Sequence, residues 1–331
     1  MYLLNNLSSR GIGCQPRPCC QHCSQLKMAA SVRVNSVLSK VLKSFFSSHT
    51  RLVSTGPHQT SPTAEALRDH YTSFGYQKVA EHEKTEKVRE VFNSVADNYD
   101  LMNDVMSAGI HRLWKDRLIS LLGPLPGMQL IDVAGGTGDV SIRFLNAARY
   151  QELQAESSFP PESEGSAREV ARAHVVDINR EMLSAGKRSK GHIYPDISWT
   201  QGDAENLPFG DNLFDAYTIS FGIRNVTHID RVLSEAYRVL KPGGRFLCLE
   251  FSRVENPLLR SVYDSYSFQV IPVMGLLLAR DWKSYQYLVE SIRKFPGQEI
   301  FKEMIEATGF KEVTFENLLG GVAAIHSGFK L

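Results

Sequence analysis

From about residue 128 to the end of the chain, short apolar runs alternate with segments of helical periodicity. The apolar runs predict strands at 129–134, 174–177, 197–201, 214–220, 245–251, 312–316 and 322–329. Strands that alternate with helices form parallel sheets with helices on both faces. The order therefore predicts one doubly wound α/β domain with a seven-stranded, mostly parallel sheet. Residues 83–122 also carry helix-like patterns, which predict an N-terminal helical cap on the sheet.

Two segments depart from this alternation. Residues 151–172 are polar and acidic and contain Pro and Ser, and this composition predicts a solvated insertion between the first two strands. Residues 263–278, after the fifth strand, are largely apolar and predict either a lid over a binding site or ordinary packing between elements. The most apolar run, 270–279, is about half as long as the roughly 20 residues that a membrane-spanning helix needs. No membrane span is therefore predicted.

The charged residues are unevenly distributed. The whole chain has a net charge of +1, but residues 1–64 contain seven basic residues and no acidic one, which leaves a net charge of −6 on residues 65–331. The basic segment is rich in Ser, and between residues 34 and 45 its apolar side chains share one side of a helix. This combination is typical of a mitochondrial transit peptide, with a disordered tail as the alternative. We therefore divide the chain into a leader, 1–64, and a folded domain, 65–331, and expect Met28 to be an alternative start.

Composition also excludes several classes of protein and site. A near-neutral chain is not expected to bind nucleic acid through overall positive charge. Four of the five cysteines lie in the leader, and the single Cys248 of the folded domain has no partner there for a disulfide. Cys20 and Cys23 lack a second ligand pair at zinc-finger spacing, so no metal site is predicted.

A glycine-rich turn directly follows the first strand and contains Gly135, Gly136, Thr137 and Gly138. Glycines at such a turn let a ligand approach the backbone N–H groups at a helix N-terminus. In an open parallel sheet, ligands bind at this edge. The turn alone fits a nicotinamide-dinucleotide enzyme as well as an adenosyl-ligand enzyme, and its match to G-x-G-x-x-G is imperfect.

Acidic residues at the ends of the next strands add to this pattern. Asp177 ends the second strand and can accept hydrogen bonds from two ribose hydroxyls, which serves either ligand. Asp203 and Ala204 end the third strand, where the carboxylate can accept a hydrogen bond from the exocyclic amine of an adenine. The pattern thus predicts a nucleoside-containing cofactor.

Four motifs then follow in a fixed order: DVAGGTGD at 132–139, VVDIN at 175–179, GDAENLPFGDNLFD at 202–215 and RVLKPGGRF at 238–246. This series resembles that of class I S-adenosylmethionine-dependent methyltransferases and disfavours a dehydrogenase. Three further segments are more specific: YDLMNDVMSAGIHRLWK at 99–115, SFGIRNVTHID at 220–230 and the ending HSGFKL. Through them, residues 85–331 resemble the ubiquinone/menaquinone biosynthesis C-methyltransferase family.

The resemblance implies a class I methyltransferase (Rossmann-like) fold and S-adenosylmethionine as the cofactor. It also implies that the chain methylates a ring carbon of a polyprenylated methoxy-benzoquinol, a step of ubiquinone (coenzyme Q) biosynthesis. The family's cofactor-contacting positions correspond here to Thr137, Asp177, Asp203, Ala204 and Ser220. The chain departs from the family in its longer insertion and in Asp203, where some relatives have Asn; both side chains offer an oxygen acceptor, and Asp adds charge.

Methylation of a ring carbon needs an electron-rich ring, which is obtained by removing a proton from a quinol hydroxyl. Arg224 and Asn225 follow the fourth strand and are expected to reach over the methyl-transfer site. Arginine is too basic to accept a proton, so its expected role is to stabilise the phenolate or to orient a water that accepts the proton. Asp100 and His111 are the alternative bases, although Asp100 equally fits a helix cap and His111 a packing residue.

The resemblance and the leader together imply peripheral attachment to the matrix side of the mitochondrial inner membrane. They also imply membership of a multi-subunit ubiquinone-biosynthesis complex and formation of a homodimer. The alternative from another class is a non-catalytic scaffold within such a complex. The intact glycine turn, Asp177 and Asp203 argue against a scaffold, which needs no complete cofactor site.

Overall fold

The computed structural model describes residues 71–95, 103–104, 107, 109–158, 170–265, 267, 273 and 282–331. All of them belong to one compact unit, Leu67–Leu331. The predicted leader, Asp100 and most of the predicted lid lie outside the described residues. Among the described helices, none has the length and apolar character needed to cross a bilayer.

An antiparallel hairpin begins the described chain. Its strands are β1 (Tyr71–Phe74) and β2 (Gln77–Ala80), and the turn between them places Gly75 at φ +58°. Helix α1 (Glu81–Val95) follows at once, and helix α2 (Ile110–Leu122) precedes the central sheet. These helices occupy most of the segment predicted to be helical, whereas the hairpin was not predicted.

Seven strands form the central sheet: β3 (Gln129–Val133), β4 (Arg172–Asp177), β5 (Ile197–Gln201), β6 (Phe214–Ser220), β7 (Leu240–Phe251), β8 (Lys311–Leu318) and β9 (Ala323–Phe329). Their spatial order is β5-β4-β3-β6-β7-β9-β8. The strands from β5 to β7 pair in parallel, and β9 runs antiparallel to both β7 and β8. The predicted seven-stranded, mostly parallel sheet is confirmed.

Helices cover both faces of this sheet. The remaining helices are α3 (Asp139–Ser158), α4 (Arg180–Lys190), α5 (Ile229–Val239), α6 (Pro257–Ser265), α7 (Trp282–Lys294) and α8 (Gln298–Thr308). One buried cluster joins the sheet to α2 and α3 through Leu118 and Phe144, and a second joins it to α5 and α8 through Leu233 and Phe301. The doubly wound arrangement is thereby confirmed, and burial of both faces explains why the strands are continuous apolar runs.

Helix α3 and strand β7 differ from their predicted bounds. Residues 151–158 were assigned to a solvated insertion but continue α3, because exposed polar side chains are compatible with a helix; residues 159–169 lie outside the described residues. Strand β7 begins at Leu240 rather than at residue 245, and its pairing with β6 shifts between Phe214 and Ala216. Gly243, whose φ is +84°, lies within this irregular part of the strand.

Strand β3 lies where the chain changes direction across the sheet. From β3 the chain proceeds outward to β4 and β5 and then returns to β6 on the other side of β3. The loops that leave the carboxyl ends of β3 and β6 therefore diverge, and the crevice between them is where open α/β sheets bind ligands.

Candidate active site

A cavity of about 550 Å³ lies at the carboxyl ends of these parallel strands. Its walls come from the turns after β3, β4, β5 and β6 and from α1, α2 and α7. The predicted site residues on these walls are Gly135, Gly136, Thr137, Asp177, Asp203, Ala204, Ser220, Arg224, Asn225 and His111. Residues predicted for cofactor binding and for catalysis thus surround one volume.

The glycine turn is held by hydrogen bonds to the neighbouring strand β4. Gly135 N donates to Val176 O over 3.1 Å, and Gly136 N donates to Asp177 Oδ2 over 2.9 Å. Gly136 has φ +53°, and a Cβ there would lie 3.1 Å from the Met182 side chain. The left-handed conformation favours glycine here, a Cβ would be tight against Met182, and the glycine brings the backbone to the cavity wall.

Gly138 has a different surrounding from the other two glycines. A Cβ at Gly138 would lie 2.6 Å from the Trp199 ring, and a Cβ at Gly186 of α4 would lie equally close to the same ring. Gly138 therefore allows the indole to pack between the turn and α4, and it lies against Trp199 rather than on the cavity wall. Its contact with the cofactor stays a prediction.

Asp177 ends β4 with both carboxylate oxygens directed to backbone donors. Oδ2 accepts from Gly136 N, and Oδ1 accepts from Asn179 N over 2.8 Å. Burial raises the pKa of Asp177 to about 6, although these two hydrogen bonds favour the charged form. The side chain of Asn179 in turn caps α4 by accepting from Met182 N over 3.1 Å. The carboxylate is thus fixed in position on the wall, with lone pairs left to accept hydroxyl groups.

Asp132 is a site residue that the sequence analysis did not select. It lines the cavity and is fully buried, and it accepts hydrogen bonds from Ser141 Oγ over 2.9 Å and from Thr218 Oγ1 over 3.0 Å. Burial raises the pKa of Asp132 to about 6, against the effect of the two hydroxyls. The available signal was its position, an acidic residue inside a buried strand just before the glycine turn.

Two further polar groups on the wall test whether an adenosyl cofactor fits. Asp203 Oδ1 accepts from Glu205 N over 2.9 Å, which orients the carboxylate after β5. Ser220 Oγ is buried and has no hydrogen-bond partner within the described part of the chain. A buried hydroxyl without a partner is costly, so this group suits a ligand that supplies one. Together with Gly136 and Asp177, these residues fit S-adenosylmethionine, which carries ribose hydroxyls and an adenine amine.

Arg224 lies in a short 3-10 turn, Ile223–Asn225, directly after β6. Its Nη1 donates to Glu250 Oε1 over 2.8 Å and also to Phe221 O, and both charged side chains are buried. Burial raises the pKa of Glu250, and the neighbouring guanidinium opposes that effect. Glu250 was not selected from the sequence, although an acidic residue in the apolar run of β7 was a signal that it has a charged partner.

Asn225 is fixed at both its main chain and its side chain. Its N–H donates to Gly222 O over 3.0 Å, and its Oδ1 accepts from the hydroxyl of Tyr287 over 3.1 Å. Tyr287, on α7, lines the cavity and was not selected from the sequence. No local pattern could have found it, because this contact joins residues 62 positions apart.

His111 is buried on the side of α2 that lines the cavity. Its Nδ1 lies 2.8 Å from Ser107 Oγ, and its Nε2 lies 3.7 Å from Asp104 Oδ1. Burial lowers the pKa of His111, and the positive charge of Lys115 lowers it further. The imidazole is therefore neutral at neutral pH. Asp100, the other predicted base, lies outside the described residues.

The comparisons with known proteins agree with this geometry. The family model described as "ubiE/COQ5 methyltransferase family" matches residues 79–330. A relative named "2-methoxy-6-polyprenyl-1,4-benzoquinol methylase, mitochondrial" from Xenopus laevis is 57% identical over 82% of this chain and 93% of its own length. Relatives of the same name from Homo sapiens and Dictyostelium discoideum are 57% and 53% identical, over 78% and 85% of this chain and 84% and 94% of their own lengths. The chain therefore belongs to the ubiE/COQ5 methyltransferase family and is an S-adenosylmethionine-dependent methyltransferase, as its motif series predicted.

Proposed function

We propose that the chain methylates a ring carbon of 2-methoxy-6-polyprenyl-1,4-benzoquinol, a step of ubiquinone biosynthesis. The observation that carries this proposal is the single cavity that joins the cofactor turn to His111, Arg224 and Asn225. Relatives that are more than half identical over most of the chain are named for the same activity. When bound, S-adenosylmethionine supplies the activated methyl group.

In this proposal His111 accepts the hydroxyl proton of the quinol. Ser107 has one hydroxyl proton and donates it to Asn103 O over 2.7 Å, so the contact between Ser107 Oγ and Nδ1 requires a proton on Nδ1. Nε2 is then left with a free lone pair, and Asp104 at 3.7 Å stabilises the imidazolium once the proton has arrived. Asp100 remains the alternative acceptor.

Arg224 and Asn225 have a different role in the same step. Arginine stays protonated in proteins, so Arg224 cannot act as a base. Held by its ion pair with Glu250, it contributes the N–H donors of a guanidinium that is fixed near the ring oxygen. Asn225 contributes amide N–H donors. Both stabilise the phenolate that His111 creates, and the phenolate makes the ring carbon nucleophilic. Once this carbon has gained the methyl group, its own proton leaves to water and the ring becomes aromatic again. His111 then returns the hydroxyl proton to the ring oxygen, so that one proton is released per methyl group transferred. Positioning of the ring against the methyl group is left to the cavity walls.

The test is methyl transfer by the full-length chain to a short-tailed analogue of the quinol, with a labelled methyl group on the cofactor. We expect one labelled methyl on a ring carbon of the reduced analogue and none on the oxidised quinone, which has no hydroxyl proton to lose. Cofactor binding without any transfer to the reduced analogue would contradict the proposal and favour the scaffold alternative.

The location and the partners are part of the proposal. Relatives are named mitochondrial, and the acid-free leader 1–64 supplies the targeting signal. A polyprenyl tail resides in a bilayer, so we place the enzyme on the matrix side of the inner membrane as a peripheral protein, within a multi-subunit ubiquinone-biosynthesis complex and as a homodimer. Exposed leucines near the cavity support the membrane contact: Leu258 of α6 is 78% exposed, and Leu319, which lines the cavity, is 55% exposed.

A further inference from the structure

Tyr287 joins three parts of the site. Its hydroxyl contacts Asn225 Oδ1 at 3.1 Å, and its ring lines the cavity. The ring also stacks on Phe74 of the N-terminal hairpin, with centroids 4.1 Å apart and an interplanar angle of 14°. Tyr287 is only 6% exposed, so burial and the stacking on Phe74 restrict the position of the hydroxyl.

The direction of the hydrogen bond follows from where the hydroxyl proton can go. Burial raises the pKa of Tyr287 to about 12, so the side chain keeps its proton at neutral pH. In the described part of the chain, the acceptor within reach of this hydroxyl is Asn225 Oδ1. Donation to Oδ1 satisfies a buried proton, and the reversed amide would leave that proton without an acceptor.

This direction decides which end of the Asn225 amide is available to a ligand. With Oδ1 committed to Tyr287, the groups left on the amide are its two N–H donors. No described residue accepts a hydrogen bond from Asn225 Nδ2, and this atom is not among the buried groups without a partner. An amide turned the other way would present an oxygen, which repels a phenolate.

We infer that Tyr287 is a positioning residue for methyl transfer: its hydroxyl turns the Asn225 amide so that the N–H donors face the substrate oxygen. The inference rests on the proposed function, since it requires a phenolate in the cavity. It adds a specific requirement for a hydroxyl on α7, which packing of the ring alone does not explain. An aromatic ring without the hydroxyl would keep the stacking on Phe74 and lose the orientation of the amide.

The experiment compares Tyr287→Phe with the unaltered full-length chain and with Tyr237→Phe. Tyr237 packs edge to face on Phe310, away from the cavity, and its variant removes a hydroxyl of the same type. For Tyr287→Phe we expect kcat to fall on the order of 10-fold, because a correctly oriented donor to a developing oxyanion is worth about 10² or more in kcat and a freely rotating amide retains part of that effect. The KM for the quinol analogue, the cofactor affinity and the Tm should change little, and Tyr237→Phe should match the unaltered chain.

Two readouts separate positioning from a merely structural role. The acid limb of the pH profile of kcat should move to higher pH in Tyr287→Phe, because a less stabilised phenolate forms at higher pH. In an Asn225→Ala background, Tyr287→Phe should have no further effect, because the group that it orients is absent.

The outcomes distinguish this inference from the proposed function. If the unaltered chain transfers methyl groups and Tyr287→Phe behaves like Tyr237→Phe, or if its effect adds fully to that of Asn225→Ala, the role assigned to Tyr287 is wrong. If the unaltered chain transfers no methyl group to the quinol, the proposed function is wrong, and the role of Tyr287 falls with it.

Discussion

At the scale of single residues, burial determines the protonation state of the side chains in the cavity. His111 is kept neutral because a buried imidazolium lacks solvent, whereas Asp132 and Asp177 each hold a pKa of about 6 because their carboxylates are buried. Arg224 and Glu250 offset the cost of burying a charged side chain by pairing with each other. The site therefore combines a neutral imidazole, an arginine that is paired with a buried carboxylate, and two carboxylates that are costly to keep charged.

The assignment of His111 as the base predicts the effect of His111→Gln. Glutamine retains hydrogen-bonding capacity but cannot accept the quinol proton, so kcat should fall by about 10² or more. Free imidazole should restore part of the rate, and His192→Gln, at an exposed histidine, should leave it unchanged. A loss of cofactor affinity in place of a loss of kcat, measured by titration calorimetry, would assign His111 to binding instead.

The raised pKa of Asp177 predicts that the stability of Asp177→Asn relative to the unaltered chain, in the absence of cofactor, increases with pH. The native carboxyl has a pKa of about 6, well above the value of 3.8 for a free side chain, so the folded chain binds more protons between these values and its stability falls as pH rises through them. At pH above 6 the unaltered chain carries this cost in full, and Asn does not. The Tm of Asp177→Asn relative to the unaltered chain should therefore be higher at pH 7.5 than at pH 4.5.

The same variant should bind the cofactor more weakly. Because the carboxylate is placed to accept ribose hydroxyls, cofactor affinity should fall by about 10-fold or more. Thermal melts at the two pH values, with and without cofactor, measure both effects. Unchanged affinity would mean that the cofactor does not use Asp177.

At the scale of elements, the loop 226–228 follows the turn with Arg224 and Asn225 and is bonded to Glu205 after β5 and to Lys84 of α1. Glu205 Oε1 accepts from Thr227 N over 2.7 Å and from His228 N over 2.9 Å, and Oε2 lies 2.8 Å from His228 Nδ1. From α1, Lys84 Nζ donates to Val226 O over 2.7 Å. The carboxylate next to the predicted adenine contact thus holds the loop that follows Arg224 and Asn225.

This arrangement predicts faster amide exchange in Glu205→Ala. The amides of Thr227 and His228 lose their acceptor, so hydrogen exchange at these two positions should accelerate by about 10-fold. The kcat should also fall, because the preceding turn with Arg224 and Asn225 becomes less ordered. Glu303→Ala, at an exposed position of α8, is the matched control. Equal exchange in both variants would show that other contacts hold the loop.

Elements differ in how far the sequence could predict them. The seven strands were predictable because burial on both sheet faces requires apolar runs. Strand β1 has no buried residue and β2 only two, so neither carries such a run. In the site, the glycine turn and the acidic strand ends were predictable from local order along the chain. The acidic residue in β7 indicated that Glu250 has a charged partner but not that the partner is Arg224, and nothing indicated Tyr287. Each acts through a side chain that is distant in sequence, and only the fold brings the pair together.

At the scale of the whole molecule, two exposed leucines of α6, Leu258 and Leu259, belong to the element that packs near Leu319 of the cavity wall, and we call these three residues the apolar rim. Leu319 lines the cavity, and Leu259 lies close to the turn that contains it, since a Cβ on Gly320 would be 2.8 Å from Leu259. A rim of this kind beside an apolar cavity offers a path for a polyprenyl tail from a bilayer.

The rim predicts that Leu258→Glu weakens membrane binding. The variant removes a leucine that would insert into the bilayer and adds a charge there. Its binding to vesicles of phosphatidylcholine and cardiolipin should therefore fall by about 10-fold or more. Leu125→Glu, at an exposed leucine before the amino end of β3, is the control at the opposite edge of the sheet. Flotation of the full-length protein with vesicles is the measurement, and equal flotation of both variants would exclude the rim as the contact.

Trp199 packs against both Gly138 and Gly186, so the residue types at these three positions should depend on one another among relatives. Neither glycine can gain even one carbon while the indole is present, because both Cβ positions fall 2.6 Å from its ring. A smaller side chain at position 199 would remove this contact, but Gly138 would still have φ +76° and a Cβ at 186 would still lie 3.0 Å from Thr137 Cα. Alanine at 138 or 186 should therefore be rare among functional members of the family, and where it occurs position 199 should carry a smaller side chain.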